Sequence, residues 1–356
     1  MKGKLLSIII PTYNMENYLH RCLDSLIVSD ENMQLLEILV INDGSSDASS
    51  AIGREYAIKY PQTFRVIDKE NGNNGSCINR GLREMTGKYV RLLDADDYYN
   101  TENFNRFLSI LQGTDTDLVL SDMAFTYADG NKRRVSYSYD TGKVYDDSLF
   151  EKKEFVDKMK MHATTYRKAI LDRVNYRQTE GIAYTDQEWI FYPMTVVDSV
   201  CYIPLEIYEY MIDRVGQTMD LNVIVRNVRH NILFVNRMME FVKSTEFDSP
   251  AKENYIKCRL EKNLREIYKL VLLYQTDDLY SLHVRELEDL DCKIRNDSHC
   301  LYEEADGFVI SKEIPLHFVR YWRKKNRRYP HVVLQLCHHL KHLDFLLKKY
   351  HLKRIR

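Results

Sequence analysis

Five short apolar runs, each separated from the next by a stretch of helical character, constrain this chain most. They fall within the first 125 of 356 residues: LLSIII (5–10), EILVIND (37–43), FRVID (64–68), YVRLL (89–93) and DLVLSDMAF (117–125). Between them, Leu19, Cys22, Leu23 and Leu26 recur at helical spacing. The segment 45–60 offers Ser46 or Asp47 as an N-cap, and a Gly/Asn loop at 71–75 leads into a helix ending near Met85. Alternating strands and helices predict a mainly parallel α/β sheet with helices on both faces. Ligands on such sheets bind beyond the carboxyl ends of the strands.

Those ends carry PTYN (11–14), NDGSSD (42–47), DKENGNNGS (68–76) and DADD (94–97). One rim therefore receives Asp43, Asp68 and the cluster Asp94, Asp96, Asp97. Taken singly, such residues are commonly turns or helix caps; four together at one rim point to a ligand. Carboxylates repel a diphosphate directly, but they bind it through a hard divalent cation, Mn²⁺ or Mg²⁺. In an extended segment Asp94 and Asp96 face one way while Ala95 faces the core. Asp43 is placed to accept from a base N–H or a ribose hydroxyl. A bound cation would also stabilise charge on a departing diphosphate.

The ordered set SIIIPTYNMENYLHRCLDSL, EILVINDGSSD, NGNNGSCINRGLREMTGKYV and LLDADD resembles the nucleotide-binding half of the family 2 glycosyltransferases, inverting enzymes of the GT-A fold. The resemblance covers roughly residues 5–100. It implies a nucleotide-sugar donor, most commonly a UDP-sugar, and a glycan or lipid-linked acceptor in cell-surface polysaccharide synthesis. It maps base and ribose contacts onto Pro11, Tyr13, Glu16 and Asp43, and the metal motif onto Asp94 and Asp96. Of these two, Asp96 is the direct ligand and Asp94 the ribose- or diphosphate-side contact. Asn79 joins the donor contacts. Many members carry Arg before that Asn, whereas Ile78 stands here.

An inverting transfer also needs a general base. GIAYTDQEWIFYP (181–193) sets Asp186 and Glu188 among aromatic residues, whose faces suit sugar rings. In the family this place reads Glu-Asp ahead of an apolar helix, with the Asp as base. That maps the role onto Asp186, with Thr185 in place of the Glu and Glu188 as the second candidate. The same residues also read as a helix start. Arg214, in YEYMIDRVGQTMD, is a candidate diphosphate contact or a surface ion pair. His162 is a candidate on the acceptor side or an ordinary structural histidine.

Beyond residue 125 the pattern changes. Asp129-Gly130 signals a hairpin, and SVCYIPLEIYEYMIDR reads as one or two strands. From about Leu221 the pattern is helical, with Ser249-Pro250 as a start and Ile256, Leu260, Leu264, Ile267 and Val271 as an apolar stripe. This predicts a GT-A catalytic domain over 1–220, with a nucleotide half (1–125) and an acceptor half (126–220), followed by a helical region over 221–356.

Seven scattered cysteines fit reduced thiols and a cytoplasmic setting. No run reaches the roughly 20 apolar residues of a membrane span, and Pro11 interrupts the apolar start, so no signal peptide is expected. Net charge is −1, yet residues 312–356 hold 13 Lys and Arg against 2 Asp and Glu. With Val332, Val333, Leu336, Leu340, Leu343 and Leu347 as an apolar stripe, this end is a candidate for peripheral contact with the inner face of the membrane; a helix packed on its own domain fits equally. Two other classes compete. A nucleotidyltransferase would want basic groups after the first strand, and PTYNMENY has none. A nucleic-acid binder would want aromatics on a basic platform, whereas the strand ends are acidic, so no nucleic acid is expected.

Overall fold

A computed structural model describes residues 3–127, 129–212, 221–274, 277–311 and 314–327, together with 336 and 339. The ten strands are β1 (Leu6–Thr12), β2 (Leu36–Asn42), β3 (Phe64–Asp68), β4 (Tyr89–Leu92), β5 (Tyr98–Tyr99), β6 (Leu118–Thr126), β7 (Lys132–Val135), β8 (Val144–Tyr145), β9 (Thr164–Arg167) and β10 (Val200–Met211). They form one mixed sheet in the order β3-β2-β1-β4-β9-β6-β10-β5, with β7 paired to β6 and β8 to β10.

β1, β2, β3 and β4 are mutually parallel, with β1 between β2 and β4. Every residue of β2 is buried, as expected of a parallel strand covered on both faces. The helices Glu16–Asp24, Ser49–Lys59 and Asn73–Glu84 connect them. The last lies very close to the sheet: a Cβ on Gly81 would stand 2.5 Å from Ile9 Cγ2. On one face Ile8, Ile10, Ile38 and Val40 join Leu19, Leu23, Phe104 and Phe107 in the main core.

The middle segment extends the same sheet with β6 to β10 rather than forming a separate one. β6 turns at Gly130 (φ 81°) into antiparallel β7. VCYIPLEIYEYM is a single strand, β10, parallel to β6. Its register shifts between Ile203 and Glu206, around Pro204, which has no N–H to give a ladder.

Two compact units emerge: residues 1–215 with 246–256, and residues 216–245 with 257–356. The sequence drew one boundary near 220. Segment 246–256 instead belongs to the first unit, where the buried Lys252 pairs with Asp198 (2.5 Å) and the Tyr255 hydroxyl donates to Ile190 O (2.8 Å). Helix Pro250–Leu272 starts as expected, Ala251 N–H donating to Ser249 Oγ (3.2 Å), and its stripe from Ile256 to Val271 is buried. In the second unit Asp291 is a buried hub. It accepts from Arg323 (2.6 Å), Arg327 (2.7 Å) and the Tyr268 hydroxyl (2.6 Å). Among the described residues no helix is long and apolar enough to cross a membrane. Most of the basic end, with its apolar stripe except Leu336, lies outside the described residues, as does Arg214.

Candidate active site

Beyond β4 the chain does not stay extended. Asp97 N–H donates to Asp94 O (3.0 Å), closing 94–97 into a turn. Turn geometry, not strand alternation, therefore places the carboxylates. Ala95 packs inward as expected, but Asp97 is also buried, at 2% exposure, while Asp94 and Asp96 are half-buried. Asp97 Oδ1 accepts Met211 N–H (2.8 Å) and Oδ2 accepts the Tyr208 hydroxyl (2.7 Å). Tyr208 Oη in turn accepts Asp94 N–H (3.2 Å). Burial, then the neighbouring carboxylates of Asp96 and Asp94, hold the Asp97 carboxyl well above the usual range.

His162 completes the cluster from the turn Met161–Ala163. Its Nε2 lies 3.6 Å from Asp94 Oδ2, and its ring stands edge-on to Tyr208 (4.6 Å) and Tyr210 (5.0 Å). Its Nδ1 is buried without a hydrogen-bond partner among the described residues. One donor atom each from Asp94, Asp97 and His162 lies within 4.8 Å of the others. Two carboxylates and an imidazole, crowded and short of positive charge, fit a divalent cation such as Mn²⁺. Asp97 thus stands in the cluster where the sequence suggested Asp96. The Asp96 carbonyl accepts from Arg21 Nη2 (2.8 Å), whose guanidinium also lies over the Tyr98 ring at 4.8 Å.

Beneath the turn Arg91 is fully buried. It donates to Tyr99 Oη (3.2 Å), Ser121 Oγ (3.1 Å), Thr165 Oγ1 (2.9 Å) and His162 O (2.7 Å). The apolar run around it masks this residue in the sequence.

Asp186 opens the one-turn helix Asp186–Trp189. Its poorly hydrated surroundings raise its carboxyl pKa; His162 and Lys160 oppose the shift and Asp94 adds to it. These couplings put Asp186 in electrostatic reach of the acidic cluster. Glu188 is fully buried and accepts Thr179 N–H (2.7 Å) and Thr179 Oγ1–H (2.6 Å), a structural pin.

On the other side of β1, the parallel register carries Asp43 to the same rim. β2 and β4 flank β1, so their ends stand about 10 Å apart at the usual strand spacing. Asp43 is 2% exposed and accepts from Lys69 Nζ (2.6 Å) and Gly72 N–H (3.0 Å). Pro11 is the penultimate residue of β1, and Tyr13, just beyond it, is 49% exposed. Glu16 is committed in part to structure: its Oε2 accepts Ala48 N–H (2.9 Å) while its own N–H donates to Asp47 (3.0 Å). Asp68 is committed to structural bonds with Asn42 (2.8 Å), Ser50 (2.9 Å) and Arg54. Asn79, expected at the donor, instead directs its amide to residues 178–180. Its Nδ2 donates to Gln178 O (2.9 Å) and Glu180 Oε1 (2.8 Å), and its Oδ1 accepts Gln178 N–H (2.9 Å).

The sheet is mixed rather than mainly parallel as the sequence suggested: β1 to β4 are parallel, and β5, β7, β8 and β9 join antiparallel. With an acidic turn beyond its fourth strand it is a GT-A type fold. Solved structures agree on the fold. S. aureus TarS 1–349, in complex with UDP-GlcNAc, aligns over 92% of this chain and 93% of its own at a TM-score of 0.61 and 17% identity. The mannosyltransferase PcManGT from Pyrobaculum calidifontis, in complex with GDP-Man and Mn²⁺, aligns over 81% of this chain and 80% of its own at 0.52 and 13%. Residues 7–178, just under half of the chain, match the family model Glycosyl transferase family 2. Among curated proteins, the putative glycosyltransferase EpsH of Bacillus subtilis is 30% identical over 60% of this chain and 62% of its own length. The minor teichoic acid biosynthesis protein GgaB of the same organism is 32% identical over 35% of this chain and 14% of its own. The chain thus spans less than two thirds of either relative.

Proposed function

We propose that this protein is an inverting glycosyltransferase that moves a sugar from a nucleotide-sugar, taken to be a UDP-sugar, onto a glycan or lipid-linked acceptor in cell-surface polysaccharide or teichoic acid synthesis. The observation that carries this reading is the pairing of the Asp94–Asp97–His162 cluster with Asp186 in electrostatic reach, on a sheet rim that also bears Asp43. EpsH and GgaB support the pathway class.

In this reading Tyr13 and Asp43 receive the base and ribose, with Pro11 and Glu16 shaping that end. Asp94, Asp97 and His162 would hold Mn²⁺ or Mg²⁺, and Asp96 is the adjoining carboxylate. When bound, the ion supplies positive charge to the departing diphosphate. Asp186 takes the proton of the acceptor hydroxyl as that oxygen bonds to the anomeric carbon and the carbon–oxygen bond to the diphosphate breaks. A carboxylate with a raised pKa is the better base for this step. Arg214 is retained as a diphosphate contact, and the basic end as the membrane-facing part of a cytoplasmic enzyme.

Calorimetric titration with UDP and Mn²⁺, beside a turnover assay over a panel of nucleotide sugars, tests the assignment. Asp186→Asn should cut turnover to a small residual rate and keep UDP–Mn²⁺ binding, whereas Asp94→Asn should weaken that binding. Equal loss of binding in both variants would refute the division of roles.

A further inference from the structure

The helix that carries Asp186 has only four residues, far too few to be stable alone. Thr185, at its N-cap position, makes no side-chain cap bond to it. Tyr184, just before, is held at φ 65°, a left-handed conformation that a bulky residue keeps only when neighbours enforce it. Asp186 must therefore be held in place by contacts from elsewhere in the fold.

Those contacts trace back to Asn79. Its side-chain amide pairs reciprocally with the backbone N–H and C=O of Gln178, both at 2.9 Å, as a neighbouring strand would. Gln178 is itself buried, and its Nε2 donates to Thr185 Oγ1 (2.7 Å) and Thr185 O (3.1 Å). Its Oε1 accepts the hydroxyl of Tyr176, whose ring stands edge-on to Trp189 at 5.3 Å. The next residue, Thr179, grips Glu188. Both ends of the Asp186 turn are thereby fastened to residues 178–179, and these to helix Asn73–Glu84. Gly75 permits the approach, since a Cβ there would meet Thr179 O at 2.0 Å.

We propose that Asn79 is a positioning residue for the general base: through Gln178 and Thr185 it sets where Asp186 stands, and it takes no part in holding the donor. The inference rests on Asp186 as the base. It also makes the donor-side helix the ruler from which the acceptor-side carboxylate is placed.

The test uses the full chain with UDP and Mn²⁺ for binding, and UDP release from UDP-glucose, UDP-galactose and UDP-GlcNAc for turnover. Asn79→Ala should lower kcat by about 10- to 100-fold, the cost of misplacing a catalytic group by roughly 1 Å. Its UDP affinity and donor KM should stay near wild type. Asn79→Ala in an Asp186→Asn background should lower the residual rate no further, because the two act as one unit. Should Asn79→Ala fail to fold, Gln178→Ala carries the test, since it keeps the backbone pair with Asn79 and severs the side-chain links to Thr185 and Tyr176. Loss of UDP affinity in step with kcat/KM would overturn the proposal and return Asn79 to the donor. If Asp186→Asn turns over normally, the base assignment fails and this inference with it. If Asp186→Asn falls to its residual rate while Asn79→Ala and Gln178→Ala are not impaired, the positioning role alone fails.

Discussion

Replacing Asp97 with Asn should make the metal-free protein more stable while removing its response to Mn²⁺. Asp97 is buried beside Asp94, their ligand atoms at most 4.8 Å apart, and Asp94 is about one quarter exposed. Two unit charges at 4.8 Å repel by about 3.5 kcal/mol at an effective dielectric of about 20, and by about 0.9 kcal/mol in water. Partial exposure of Asp94 puts the relief between these, at about 1–2 kcal/mol. No hydrogen bond need be lost. Asn Oδ1 can accept Met211 N–H, Nδ2 can donate to Tyr208 Oη, and the Tyr208 hydroxyl can turn to Asp94 Oδ2, which lies 3.3 Å away. At roughly 2–4 °C per kcal/mol for a unit of this size, melting in EDTA at pH 7.5 should rise by about 2–8 °C. The advantage must shrink on acidification. Asp97 has a raised pKa in the folded state, so the wild type is disfavoured as pH rises through that value and recovers as pH falls toward about 4. Added Mn²⁺ should raise the wild-type transition and leave the variant unmoved. The reasoning is refuted if Asp97→Asn melts below wild type in EDTA, or if Mn²⁺ stabilises both proteins equally.

Two further outcomes follow from buried charge elsewhere. Arg91→Met strips four neutral oxygens of their donor and should cost at least about 3 kcal/mol in urea unfolding; Arg91→Lys should recover only part, lacking the planar fork. In the second unit, His283 is 1% exposed with neither ring nitrogen hydrogen-bonded among the described residues, and burial lowers its pKa against the opposing pull of Glu286. The unfolded chain takes up that proton near about pH 6.5, so stability is present above this pH and is lost as pH falls below it. His283→Leu should flatten urea unfolding between pH 7.5 and 5.5, and an unchanged slope would exclude His283 as the source.

The parallel half of the sheet was legible because its signals are local. β1 to β4 are near-continuous apolar runs, and each ends within two residues of where the polar rim begins. Asp43 and Asp94 followed from that rule alone. The rest depends on partners distant in sequence. Whether Asp96 or Asp97 faces Asp94 is decided by one turn bond and by Tyr208 and Met211, more than 100 residues later. Asn79 was placed at the donor by the family resemblance; its partner lies 99 residues away. His162 carries no local pattern, and Arg91 hides inside a run that reads as apolar. The break at 246–256 was invisible because it is set by Lys252 and Tyr255 packing, not by composition.

Strand β10 has twelve residues where its neighbour β6 has nine, although both ends are in register. The surplus is odd, and side chains on a strand alternate faces. Those three extra residues therefore decide on which side of the sheet the Tyr208 hydroxyl emerges. A single-residue deletion between Ile203 and Ile207 would keep every chemical group of the site in the polypeptide and yet point its tyrosine at the opposite layer. Length changes should thus be barred from this short stretch, whatever substitutions it tolerates.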